Sequence, residues 1–211
     1  MLKPMLFLFW STMLGGLVLG IAVWGIGKAV FPDFVSMDVA VSGASEFSMI
    51  IMATLTMCMI SVVGYFAYLM TNYYMIGILR NRKGAWSGLQ LFFIVMAIAN
   101  LFFLRYQGFA EGKESLAMYA GIPVLIAAAA LIVSQVKVKL TNASARIPTL
   151  FFMIVVTCLE MLPAFSINDL TSLLYVSLVL LACNAWQILI FHKLTNTKKH
   201  QQMKKAQVKK A

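Results

Sequence analysis

Charge is what this chain has least of, and acid least of all. Aspartate and glutamate number 7 in 211 residues, and charged residues of both signs make up 11%, where a soluble domain carries about 25%. Histidine occurs only as His192 and His200. With so few acids and histidines there is no HExxH and no acid-rich metal cluster, and a GxSxG elbow and a glycine-rich phosphate loop are missing as well. The 3 cysteines, Cys58, Cys158 and Cys183, lie inside apolar runs with no CxxC spacing. Free thiols so placed behave as small buried hydrophobes, so neither a disulfide nor a metal site is expected. Internal repeats, which often betray transporters, are also missing. The expectation is a chain without catalytic residues, cofactor or metal.

Apolar residues fill the space. Hydrophobic residues make up 62% of the chain and the mean hydropathy is +0.88. A soluble fold of this size cannot hide so much apolar surface, so the surplus must face lipid. A spanning helix needs roughly 20 apolar residues. Six such runs are read, at 5–26, 47–70, 88–104, 116–136, 147–165 and 172–191, with a lysine-rich tail over 193–211. The fold class expected is therefore all-α: a polytopic integral membrane protein, a bundle of six transmembrane helices with short loops and no separate soluble domain. The first run is longer than the roughly 7–15 residues of a signal-peptide core and reads as an uncleaved span. Within it Gly16 and Gly20 form a GxxxG pattern, which lets another helix approach closely. Pro148 sits in the first turn of the fifth run, where its missing N–H costs little.

The net charge is +10, and most of it is a tail property. Lysines 193, 198, 199, 204, 205, 209 and 210 lie beyond the last run. This tail reads as a disordered topology anchor on the cytoplasmic side, attracted to anionic lipid of the inner leaflet. Aromatics interleaved for base stacking are lacking, which argues against nucleic acid. Basic residues also set the orientation. Lys3, the Arg80–Lys83 turn, the Lys137–Arg146 turn and the tail share one side, against Lys28, Arg105 and Lys113 on the other. Both termini are thus expected in the cytoplasm, in a multi-pass protein of the cell membrane.

Glu160 is the one ionisable residue well inside a run. A mid-bilayer acid costs about 2.5–3.5 kcal/mol, so such a residue faces the bundle interior and has a partner. Depth matching points to the third run, which brings Asn100 and Arg105 to the same layer. A polar cluster of Glu160, Arg105 and Asn100 is the expected site, either a structural clamp or a functional position. In the last run Asn184 and Gln187 are expected to make interhelical hydrogen bonds.

The fifth and sixth runs carry a more specific signature. IPTLFFMIVVTCLEMLPAF, then ND, then LLYVSLVLLACNAWQILIFHKL resembles the KbaA family of Bacillus-type endospore formers, the KinB-signalling pathway activation proteins. LFLFWSTMLGGL and GYFAYLMTNYYMIGILRNRKGAWSGLQLFF match more loosely, so the resemblance runs over most of residues 1–194. It implies a membrane protein upstream in the KinB arm of the sporulation phosphorelay, required by a polytopic sensor histidine kinase and not itself a kinase. The expected function is thus a non-enzymatic accessory protein, activating that kinase by helix contacts in the bilayer. The alternative is a small transporter or channel-like protein whose substrate feeds signalling indirectly.

Overall fold

A computed structural model describes residues 2–31, 34–35, 45–79, 83–109, 116–167 and 169–208. Side chains are described for these except at 2–4, 83, 104–109, 116–119, 165–167 and 192–208. The described residues are helical throughout apart from short turns, with no strand among them. Among the described residues, six helical segments are long and apolar enough to cross a membrane.

The first four are single helices: α1 (Leu2–Val30), α2 (Glu46–Ile78), α3 (Lys83–Phe109) and α4 (Leu116–Leu140). The fifth is composite. A 3-10 turn (Ala143–Ala145) leads into α5 (Arg146–Phe151), a π-helical stretch (Phe152–Val156), α6 (Thr157–Met161) and a closing 3-10 segment (Leu162–Ile167). The last is α7 (Leu170–Val208). Each helix outruns the apolar run that announced it. Hydropathy falls off before the helical backbone ends. The clearest departure is α7, which continues without interruption into the lysine-rich tail, where a disordered segment was expected.

Local chemistry accounts for several boundaries. Ser45 caps α2, its Oγ accepting from the Ser48 N–H at 3.3 Å, and Glu46 stands in the first turn, where the helix dipole favours an acid. Glu46 also meets Lys28, from the last turn of α1, at 2.7 Å. Asp169 precedes α7 and accepts from the Ser172 N–H at 2.8 Å and the Ser172 hydroxyl at 2.7 Å. Pro148 falls in the first turn of α5, as its chemistry requires. Pro163 has no N–H to give to an i→i−4 bond, and the rod tightens from α to 3-10 beside it. Pro123 lies inside α4, where burial among neighbouring helices tolerates the lost bond.

Two cores hold the bundle together. The larger packs α2, α3, α4 and α7 around the composite fifth segment, with Tyr65, Phe152, Met153 and Leu180 almost fully buried. Its aromatic heart sets Tyr65 edge-on to Phe152, with centroids 5.2 Å apart. The smaller core joins α1, α2 and α7 around Ile50, Cys58, Tyr175 and Cys183. Here the GxxxG pair of α1 is used within the chain. Gly16 lies against the sulfurs of Cys58 and Cys183, and Gly20 lies against Thr54. The fifth and sixth segments are the most enclosed: 61% of each apolar window is buried, against 22–33% in the other four. They form the centre, and the other helices surround them.

Candidate functional site

At the centre of the bundle three helices meet through polar side chains. Ser61 comes from α2, Thr157 and Glu160 from α6, and Asn184 and Gln187 from α7. All five are buried. Asn184 is the hub. Its Nδ2 donates to Glu160 Oε2 at 2.7 Å and to Thr157 Oγ1 at 2.9 Å. Its Oδ1 accepts from the Ser61 hydroxyl at 2.8 Å. The Ser61 oxygen accepts in turn from Gln187 Nε2 at 2.9 Å. The i, i+3 spacing of Asn184 and Gln187 puts both on one face of α7, so one helix face serves both neighbours.

The fifth segment reaches this arrangement through its π-helical stretch. A π-turn takes one residue more than an α-turn and is found often at functional sites. It lets the aromatic pair Phe151 and Phe152 pack on Tyr68 and Tyr65 while Thr157 and Glu160, further along, face α7. The tight approach of α2 depends on Gly64. A Cβ there would overlap the Glu160 Oε1 atom, so the carboxyl lies directly over a residue with no side chain. Oε2 is held by Asn184; Oε1 and the Gln187 Oε1 are buried without a hydrogen-bond partner.

Glu160 is therefore paired, as an acid in an apolar span must be, but with a helix other than the expected one. Its partner is Asn184 of α7. Asn100 of α3 faces a shallow recess lined by Ala97, Leu101, Val155, Cys158, Leu159 and Leu162, to which Glu160 does not contribute. The Arg105 side chain lies outside the described residues, as do loop residues Asp33, Asp38, Arg80, Arg82, Glu111, Lys113 and Glu114. Depth fixes how far along the bilayer normal two residues lie, but not which way round their helices they point. Asn184 and Gln187 make the interhelical hydrogen bonds expected of them. Ser61 and Gly64 carried no signal within an apolar run.

Three further contacts between helices were not legible from spacing. Cys58 and Cys183, 125 positions apart, bring their sulfurs to 3.8 Å between α2 and α7; all three cysteines are free thiols. Tyr175 and Thr54 join hydroxyls at 2.5 Å, and Thr54 is itself bonded to the Ile50 carbonyl. At the other end of the bundle Lys137 of α4 donates to the Ile188 carbonyl of α7 at 2.5 Å. Beside the polar network, α2, α3 and the fifth segment leave an open apolar cleft of about 730 Å³, with Gly64 and Glu160 in its wall.

The sequence model of the KbaA family, described as KinB-signalling pathway activation in sporulation, matches residues 14–194. That stretch contains every residue of the network and of the cleft. A KinB-signaling pathway activation protein from Bacillus subtilis (strain 168) is 37% identical over 134 residues, which is 64% of this chain and 67% of the relative. No solved structure matches.

Proposed function

Because the chain belongs to the KbaA family, whose role is KinB-signalling pathway activation in sporulation, we propose that it is a non-enzymatic membrane protein that activates the pathway's sensor histidine kinase through helix contacts inside the bilayer. The observation that carries this reading is the combination of the family match with a bundle built almost wholly of apolar helices. Such a chain has its largest surface in lipid, and a partner with transmembrane helices is met there. Large outward side chains such as Trp10, Val18, Met52 and Ile132 are exposed in the isolated chain. In a bilayer these face lipid at no cost and remain available to another helix.

The mechanism we infer is a population shift. The kinase has signalling and resting states, and the chain binds one of them more tightly. An accessory protein moves such an equilibrium only by its differential affinity for the two states. A tenfold preference requires about 1.4 kcal/mol, within reach of one or two well-packed interhelical contacts. The network around Asn184 keeps the contacting surface rigid, since it ties α2, α6 and α7 into one body. The charge asymmetry of the sequence supports placing both termini in the cytoplasm. There the tail lysines add about 1 kcal/mol each of attraction to an anionic leaflet.

Purification in mild detergent from cells expressing both proteins tests the contact. The kinase is expected to co-purify with this chain, and its loss at every detergent tested, with both proteins intact, would contradict the proposal. A second reading, a small transporter or channel-like protein, draws on the position of Glu160 beside the cleft. Solute flux in proteoliposomes that is abolished by Glu160→Gln would favour it.

A further inference from the structure

The two buried cysteines meet beside a cavity that the polar network does not use. Cys58 of α2 and Cys183 of α7 hold their sulfurs 3.8 Å apart, and both are free thiols. Gly16 of α1 closes over them, since a Cβ there would overlap both sulfurs. Next to this junction, between α1 and α7, lies a cavity of about 220 Å³ whose wall includes Ser11, Thr12, Gly15, Gly16, Cys183 and Trp186. Gly15 and Trp186 are exposed and stand at its mouth. There the Trp186 Nε1–H donates to the Ser11 hydroxyl at 3.2 Å. Thr12 and Cys183, only 1% and 3% exposed, form its floor. The Thr12 hydroxyl is buried with no hydrogen-bond partner among the described residues. Cys58 is fully enclosed and takes no part in the cavity wall.

We propose that Cys58 and Cys183 are a hydroperoxide-reactive thiol pair, in which Cys183 attacks a peroxide held in the cavity and Cys58 then closes a disulfide between α2 and α7. Access divides the roles: Cys183 is presented to the cavity, and Cys58 lies behind it in contact with its sulfur. The oxidant must be small and uncharged to enter a space of this size between two apolar helices, which a hydroperoxide is and glutathione disulfide is not. The Thr12 hydroxyl, otherwise unpartnered, supplies a hydrogen bond to hold it. In the first step the Cys183 sulfur attacks one peroxide oxygen and the O–O bond breaks. The thiol proton leaves with the other oxygen, as water from hydrogen peroxide or as an alcohol from a lipid hydroperoxide. Cys183 is then a sulfenic acid. In the second step the Cys58 sulfur attacks the Cys183 sulfur, the S–O bond breaks, and the hydroxyl leaves with the Cys58 proton as water. Two thiols are oxidised and one peroxide is reduced. A disulfide sets its sulfurs about 2.05 Å apart, so the pair must close by about 1.8 Å, shared between rotations of two side chains. Apolar surroundings make a thiol slow to react, so the bond forms under sustained exposure. Cys183 adjoins Asn184, and Cys58 lies one turn from Ser61 on α2, so the bond fixes α2 against α7 beside the polar network.

The full chain carrying Cys158→Ala, in vesicles, tests the assignment, because the pair then holds the only thiols. One arm adds hydrogen peroxide to vesicles of saturated lipid. The other uses vesicles that contain lipid hydroperoxide and no added peroxide. Thiols are counted after denaturation, and the intact chain is weighed by mass spectrometry. Both thiols are expected to disappear together, with a mass lower by two hydrogens, and to return on reduction; the arm in which this happens identifies the source of the peroxide. Gly15→Leu fills the cavity from a position where a Cβ meets no atom, and it is expected to slow the loss several-fold. Thr12→Val keeps the shape without the hydroxyl and is expected to slow it as well; an unchanged rate would overturn the role given to Thr12. With Cys58→Ala, a sulfenic-acid probe is expected to label Cys183. With Cys183→Ala, Cys58 is expected to stay reduced. Survival of both thiols in both arms, in a folded and inserted chain, would overturn the pair. So would disulfides between copies only, oxygen added to the sulfurs with no disulfide, or a sulfenic acid formed first at Cys58.

Discussion

Asn184 is the residue on which most depends. Truncating it leaves Glu160 Oε2, the Ser61 hydroxyl and the Thr157 hydroxyl short of a partner at once. Leaving buried polar groups unpaired costs about 1–3 kcal/mol, although measured interhelical hydrogen bonds in membranes average only about 0.6 kcal/mol each. Asn184→Ala is thus expected to destabilise the chain by about 1–3 kcal/mol in thermal unfolding in detergent. Asn100→Ala, at an exposed position, is expected to stay within about 0.5 kcal/mol. Equal effects at the two positions would remove Asn184 from its central role. Asp169 offers a pH test outside the apolar segments. Burial pushes its carboxyl up, but donors from Thr171 and Ser172 outweigh this and hold it below the usual carboxylate value. A carboxyl whose folded value is depressed stabilises fully above its unfolded value, about 3.9, and that stabilisation is lost as pH falls through the folded value. Asp169→Ala is expected to cost about 1 kcal/mol near neutral pH, as a lost cap does, with the gap to the unmutated chain closing below about pH 4.

Among the elements, the composite fifth segment carries the most information and was the least legible. Its proline boundaries were readable: Pro148 at the entry of α5 and Pro163 at the tightened exit both act through a missing N–H. The π-helical stretch between them was not, because FFMIVV contains neither proline nor glycine and reads as an ordinary apolar helix. Its origin lies in packing, where Phe151 and Phe152 seat on α2 while Glu160 seats on α7. Deleting Val155, a half-buried member of this stretch, removes the extra residue and rotates α6 against α5. Either the aromatic contact or the polar network must then be lost. Pathway output is expected to fall with the chain still inserted, and full output from the deletion would show that the π-turn has no role. In α1 the GxxxG pair was visible as a pattern, but its target was not. A Gly16→Leu side chain would collide with the Cys58 and Cys183 sulfurs and is expected to displace α1 from α2 and α7. Faster proteolysis of α1 in detergent would register this; an unchanged cleavage pattern would mean that α1 accommodates the bulk.

For the whole molecule, composition was enough to foresee an all-helical chain with six long apolar segments. Those properties rest on summed hydropathy and helix length, which need no knowledge of neighbours. Helix ends were foreseen short, since hydropathy falls off before the helical backbone ends. Which helices touch through which faces depends on rotation about each axis. Hydrophobic patterning carries little of that when lipid and core are both apolar, and so Glu160 was legible as a residue needing a partner while Asn184 as that partner was not. The two stretches on which the resemblance was read, the fifth and sixth segments, are the most enclosed in the bundle. The central proposal is activation by direct contact in the bilayer, with no other component. The most direct test is autophosphorylation of the purified kinase in proteoliposomes, at fixed kinase density, with and without this chain. A rise in kinase activity when the chain is present is the result expected; activity that is the same with and without the chain, both being correctly inserted, would contradict it.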